Sequence, residues 1–248
     1  HTHTHTHTHT HTHTHTHTPG SNQNPGGTVL TSHLVCYARV NSGLASFGQA
    51  ALLCLARLAA AHSTPLWLEP TSVPKAARAC AWLHTAGLLD TLAFVSPNED
   101  EAVAMAAALD GGTHTDGTGI GVATTGIGAA AAASALVRAG CRHVFVTRGA
   151  RGVLWARDAG GGEVAIEEVA ALALGQPLVS TRGAGDAFVA GAASRLLPPL
   201  GLLGRDGKVV AADATEVREA LQAGLRAARL VLLEEAAVPS QLRHGGLE

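Results

Sequence analysis

From residue 29 onward, short runs rich in branched and aromatic side chains alternate with longer stretches whose apolar residues recur at helical spacing. That alternation is the pattern of parallel strands joined by crossover helices, since parallel neighbours cannot be linked by a tight turn. The strand candidates are "HLVCYARV", "PLWLE", "LAFVS", "HVFVTR", "GVLWA", "EVAIEEV" and "PLVS". Among the helix candidates, "FGQAALLCLARLAAA" is apolar at helical spacing, and "NEDEAVAMAAAL" opens behind Pro97 with acids in its first turn. "EVREALQAGLRAARLVLL" closes the set. The stretch "HVFVTRGARGVLWA" reads as two strands joined by a glycine-containing turn. The expected class is therefore α/β: a mostly parallel sheet with helices on both faces and the active site at the strand ends. With 248 residues, 46% of them apolar, a sizeable core is within reach.

Residues 1–18 are a strict His-Thr alternation that holds nine of the fifteen histidines and runs into "PGSNQNPGG". Such a segment buries no core, so residues 1–28 are expected to be a disordered low-complexity tail and linker ahead of a folded domain over 29–248. Its imidazoles could bind zinc, nickel or copper adventitiously, but a translated repeat is the simpler reading. The formal charge of -2, without any Lys/Arg-rich run, argues against nucleic acid as a partner. The uncharged stretch over 117–137 is Gly, Ala and Thr, too poor in large apolar groups for a membrane span, and is expected to be a glycine-rich loop followed by an alanine-rich helix. Cys36, Cys54, Cys80 and Cys141 form no CxxC pair, which suits reduced core thiols in a cytoplasmic protein.

Three constellations carry candidate chemistry. In "LVSTRGAGDAF", Gly183, Ala184 and Gly185 precede Asp186 between a strand expected to end near Ser180 and a helix expected to begin near Asp186. Backbone amides bare of side chains, added to the unpaired donors of a helix start, bind anions. Facing a transferring phosphoryl group, one such donor is worth about 2.7–4 kcal/mol by analogy with oxyanion holes, and Asp186 would stand where a base is wanted. Asp186 as an ordinary N-cap explains the same letters. In "SPNEDEA", Asn98 and Glu101 share one side of a helix start and could organise the water shell of Mg²⁺; a capping box reads equally from the spacing. In "TRGARG", Thr147, Gly149 and Gly152 form a turn against which a nucleotide can lie, with Arg148 or Arg151 adding charge, or else a plain hairpin.

The order "SPNEDE", "VFVTRGARG", "VSTRGAGDAF" resembles the nucleotide-binding half of the PfkB or ribokinase family of sugar and nucleoside kinases, over about residues 30–242. The resemblance implies a ribokinase-like three-layer α/β sandwich and transfer of the γ-phosphoryl of ATP to a hydroxyl. Asp186 would be the base and Gly183, Ala184 and Gly185 the anion hole. Thr147, Gly149 and Gly152 would border ATP, and Asn98 and Glu101 would organise Mg²⁺, through water. It also implies a monovalent cation such as K⁺ near Ala236, Ala237, Val238, Pro239 and Ser240. The implied partner is a small nucleoside or sugar, with oligomers formed through lid strands in relatives.

"TPLWLEPTSVPKA", followed by "VSPNEDE" and by Ser180 ahead of the glycine turn, is similar to the pseudouridine kinase branch of that family. This implies pseudouridine as acceptor, with Glu69 and Lys75 in supporting roles; a strand end, a Pro turn and a solvated lysine is the plainer reading. The sequence departs from the family in three places. The His-Thr tract occupies the position of the N-terminal lid and substrate segment, so a sandwich lacking that part is expected, and a nucleotide-binding remnant with impaired catalysis is the alternative. Arg182 replaces a small or hydroxylated residue before the glycine turn, and Arg39 stands where relatives resemble one another in an aspartate. A dinucleotide-binding oxidoreductase is disfavoured, as no G-x-G-x-x-G follows an early strand.

Overall fold

A computed structural model describes residues 36–39, 45–62, 64–110, 127–196 and 213–234. The His-Thr tract and its boundary with the domain, the glycine-rich stretch 111–126 and residues 236–240 lie outside them. Among the described residues, six strands form one sheet in the order β1 to β6: β1 (Cys36–Arg39), β2 (Leu66–Glu69), β3 (Leu92–Val95), β4 (His143–Thr147), β5 (Val153–Gly160) and β6 (Glu163–Val169). The first four pair in parallel, and the last two extend the sheet antiparallel. Helices α1 (Ala45–Ala61), α2 (Val73–Thr85), α3 (Glu99–Leu109) and α4 (Ala129–Arg138) fall between the parallel strands, and α5 (Ala184–Leu196) and α6 (Ala214–Leu232) follow the sheet.

The strand residues are divided between two apolar clusters, which is why β2 and β3 are buried throughout. Leu66, Leu68, Leu92, Val144, Val146 and Leu154 pack with residues of α1 to α4. Trp67, Phe94, Phe145, Val153 and Trp155 pack with α5 and α6. Period-2 alternation thus feeds helices on both faces, and the three-layer sandwich expected from the sequence is present. Leu66 pairs with Leu92 while Trp67 pairs with Phe94, so Ala93 is the extra residue of a bulge and joins Phe94 in the second cluster. Truncating a buried side chain such as Leu68 or Phe145 to alanine in such a layer costs about 2–5 kcal/mol.

Local chemistry sets the helix starts. Asn98 and Glu101 close a reciprocal capping box on α3, and Asp213 and Glu216 do so on α6. The Pro turn expected after β2 is the first turn of α2, with Pro74 where its missing N–H costs nothing. α6 buries Val217, Ala220, Leu221, Gly224, Ala227 and Val231, an apolar stripe at helical spacing.

Two expectations need correction. Residues 177–180 form no strand: the N–H groups of Val179 and Ser180 donate to the Leu232 carbonyl (2.9 and 3.4 Å), so the segment is tied to the end of α6. Leu178 and Val179 stay half-exposed there. Helix α5 begins at Ala184, two residues before Asp186, which puts the aspartate inside the first turn rather than at the cap. Among the described residues, no helix is long and apolar enough to cross a membrane.

Candidate functional site

The carboxyl ends of β2, β3 and β4 meet the start of α5. Glu69 is the last residue of β2, the turn from Ser96 to Asn98 follows β3, and Thr147 ends β4. Thr147 N–H donates to the Pro97 carbonyl (2.9 Å), and an isolated bridge pairs Asn98 with Thr147, so the capped start of α3 is fastened to the end of β4. Trp67 Nε1 donates to Ser96 Oγ (3.0 Å) from below. Such crevices outside the strand ends are where α/β sheets bind ligands.

Two clefts open there. One, of about 220 Å³, is lined by Glu69, Ser96, Asn98, Glu101, Thr147, Gly183, Gly185 and Asp186 among others. The other, of about 240 Å³, is bordered by Thr147, Gly149, Gly152, Ala184 and Gly185, and by Leu172, Leu174, Leu225, Arg229 and Leu232. Thr147, Gly185 and Phe188 belong to both, so the two are continuous past the first turn of α5. Asn98, Glu101, Thr147, Gly149, Gly152 and residues 183–186 therefore each line one cleft or the other, while Arg148 and Arg151 line neither.

The glycine turn has a local cause. Gly183 sits at φ 79, a left-handed conformation that favours glycine, and the helical ladder begins with Ala187 N–H donating to Gly183 O (2.9 Å). The amides of residues 184–186 therefore precede the ladder, in the region of positive helix potential. Ala184 N–H is aimed at Thr181 O (3.3 Å), and Ala184 borders the apolar cleft rather than the acidic one. Asp186 lies among other acids: Glu69, 8% exposed, lines the same cleft, and both Asp186 and Glu101 are near enough to act on Glu69 by charge. Burial first, then the charges of Asp186 and Glu101, push Glu69 up to about 7. Burial also raises Glu101, against the opposing effect of the Asn98 N–H that its carboxylate accepts (2.9 Å).

At Asn98 and Glu101 the two readings of the sequence coexist: the capping box forms, and both residues line the acidic cleft. Among the described residues no three His, Cys, Asp or Glu side chains converge as a metal cage requires. The donors present are nonetheless those of a hydrated hard cation: Glu69, Glu101 and Asp186 surround one space, and Glu69 Oε2 is enclosed without a hydrogen-bond partner. Mg²⁺ held through water fits this set.

Arg148 and Arg151 do not turn their charge on a nucleotide. Arg148 pairs with Glu168 (2.9 Å), and Arg151 pairs with Glu99 in the first turn of α3. Lys75 is not freely solvated, as its Nζ donates to Thr71 Oγ1 (3.0 Å) at the rim. Ser180 Oγ accepts the Arg182 N–H (3.2 Å), shaping the approach to the glycine turn. Leu172, Leu174 and Leu232 carry no motif, so sequence reasoning missed them. Arg229, which donates to the carbonyls of Ala173 (2.8 Å) and Leu174 (3.0 Å), folds their segment over the cleft from 55 residues away in sequence.

A family model described as pfkB family carbohydrate kinase matches residues 31–243. Pseudouridine kinase of Arabidopsis thaliana is 32% identical over 115 residues, 44% of this chain and 29% of that protein. Adenosine kinase of Anopheles gambiae, solved in complex with P1,P4-di(adenosine-5) tetraphosphate, superposes with a TM-score of 0.53 at 23% identity, covering 82% of this chain and 53% of that one. Aminoimidazole riboside kinase of Salmonella enterica, complexed with aminoimidazole riboside and an ATP analog, gives a TM-score of 0.53 at 19% identity, covering 86% and 62%. The chain thus shares the fold of nucleoside kinases of this type and spans about half to three-fifths of their length. With a match running from the first described strand past the last described helix, the chain belongs to the pfkB family of carbohydrate kinases.

Proposed function

We propose that this chain is an ATP-dependent phosphotransferase that moves the γ-phosphoryl group of ATP onto a hydroxyl of a nucleoside or sugar, with pseudouridine as the acceptor. The observation that carries the reading is the placement of Asp186 within the first turn of α5, at the junction of an acidic cleft and an apolar one. The apolar cleft, walled by Leu172, Leu225 and Leu232 and floored by Gly149 and Gly152, suits a flat base and its ribose. The phosphates would then lie along the glycine turn, with the amides of Gly183 and Gly185 rather than the Thr181-directed Ala184 N–H meeting the charge that spreads over the transferring oxygens. Asp186 receives the proton of the attacking hydroxyl, and the loose transition state asks mainly that the hydroxyl be held in line. Bound Mg²⁺ would neutralise phosphate charge, with Asn98 and Glu101 holding its water shell. A monovalent cation near residues 236–240 belongs to the same reading, as does a cytoplasmic protein that takes small molecules.

Support for pseudouridine comes from the "LEPTSVPK" stretch, which frames the acceptor side of the acidic cleft through Glu69, Pro70 and Thr71, and from the partial likeness to the Arabidopsis enzyme. Coupled ADP release over pseudouridine, ribose, adenosine and fructose tests it. Pseudouridine should give the highest kcat/KM. Turnover highest on another member of the panel would move the assignment to that acceptor, and ATP binding with no ADP from any would leave a nucleotide-binding protein without transfer.

A further inference from the structure

The apolar cleft has two walls of different kinds. One is the carboxyl-terminal half of α6, where Leu225, Ala228, Arg229 and Leu232 recur at helical spacing. The other is residues 171–174, of which Leu172 and Leu174 line the cleft although the segment belongs to no helix or strand. Leu172 is 43% exposed, so packing alone does little to hold this wall in place. At its near end the segment is fixed by backbone, as Gly152 leaves no room for a Cβ beside the Val169 carbonyl and the Ala171 N–H. At its far end Val179 N–H donates to the Leu232 carbonyl. Between these ends, Arg229 supplies the only side-chain hydrogen bonds to residues 171–176 among the described residues: Nε donates to Ala173 O (2.8 Å) and Nη2 to Leu174 O (3.0 Å). Nη2 also lies 4.0 Å from where a Cβ on Gly175 would stand, and Gly175 turns the chain at φ 72. A planar fork that grips two successive carbonyls fixes orientation as well as distance.

We propose that Arg229 is a positioning residue for the nucleotide: from the last turn of α6 its guanidinium clamps the carbonyls of Ala173 and Leu174, and so holds Leu172 and Leu174 as the wall on which the base of ATP packs. The assignment rests on the phosphotransferase reading, which seats that base in the apolar cleft. A loose wall has to be ordered at the moment of binding, and the fraction of molecules with the wall in place scales the affinity directly. Arg229 borders the apolar cleft and not the acidic one, so the clamp governs how tightly nucleotide is held and leaves the chemical step alone. The guanidinium acts through the segment it holds, with Nε and Nη2 already committed to carbonyls.

The test compares the full wild-type chain with Arg229→Ala and Arg229→Lys, by titration calorimetry with ATP and with ADP, by steady-state kinetics on the best acceptor of the panel, and by limited proteolysis. Arg229→Ala should raise Kd about tenfold for both nucleotides, as follows when the wall is in place in about one molecule in ten. KM for ATP should rise by about the same factor, while kcat and KM for the acceptor stay within about twofold. Arg229→Lys keeps the charge but not the fork, and should recover only part of the affinity. Cleavage within residues 171–176 should be faster in Arg229→Ala and suppressed by ATP. Unchanged Kd in the alanine variant, or a fall in kcat at unchanged Kd, would overturn the assignment. So would a loss that is larger for ATP than for ADP, or full recovery by lysine, since either means that Arg229 serves the phosphates by charge. If both nucleotides bind and the losses appear but no acceptor is phosphorylated, the phosphotransferase reading falls and the clamp stands. A wild-type chain that binds neither nucleotide overturns both.

Discussion

Gly149 and Gly152 look interchangeable in "TRGARG", yet their surroundings differ. Both have positive φ, 56 and 81. A Cβ on Gly149 would meet open space, whereas one on Gly152 would meet Val169 O at 2.0 Å and Ala171 N at 2.6 Å. Gly149→Ala should therefore cost only backbone strain, about 1 kcal/mol. Gly152→Ala should cost more than the roughly 1–3 kcal/mol of a strained conformation, because the end of β6 must also move. Urea unfolding of the two variants checks the order, and equal losses would contradict it. The motif was legible in the sequence as a turn that admits a ligand. That only its last glycine is held by a close backbone approach was not legible, because the neighbour comes from β6 rather than from the turn. Glu69 shows the same limit: its stretch was readable by resemblance, but its place in one cleft with Asp186 joins residues 117 positions apart.

At the level of elements, the sequence announced β1 to β6 through their branched and aromatic runs, α1 and α6 through apolar periodicity, and α3 through Pro97 and the acids of its first turn. "PLVS" has the composition of a strand but no edge to pair with, since its amides are used on α6. The contact of α5 with α6 was hidden, because it depends on missing side chains. A Cβ on Gly191 would lie 2.7 Å from Ala223 O, and one on Gly224 would lie 2.7 Å from Phe188 O and Phe188 Cδ2. Gly224→Ala gains helix propensity but drives the two helices apart, and overpacking of this kind costs about 1–3 kcal/mol. Since Phe188 lines both clefts, the variant should also weaken ATP binding, seen as a raised Kd in titration calorimetry. A more stable variant with unchanged affinity would show that the helices have room to spare.

Across the whole molecule, the sheet brings three motifs from distant parts of the chain to one edge, and the electrostatics of that edge set a pH dependence. Glu69, faced by Asp186 and Glu101, titrates near 7 folded against an ordinary value of 4.5. The folded state therefore binds more protons across that window, and the contribution of Glu69 is present in full below about 4.5 and is lost as pH rises to about 7. Buried His143, lowered to about 4 chiefly by burial, acts in the opposite sense, because its folded form resists the proton that the unfolded chain takes up below 6.5. The wild-type profile is a sum, so the difference from Glu69→Gln isolates the glutamate. Between pH 5 and pH 8 the wild type should lose stability relative to the variant, by up to about 3 kcal/mol. A difference that does not change with pH would mean that Glu69 is ionised throughout.

The central claim is that Asp186 removes a proton while the amides beside it hold the migrating phosphoryl group. Transfer of labelled γ-phosphate from ATP to pseudouridine, compared between the wild-type chain and Asp186→Asn, tests it most directly. The variant should bind ATP with unchanged Kd and transfer about 10²- to 10⁴-fold more slowly. Transfer by the variant at the wild-type rate would contradict the account.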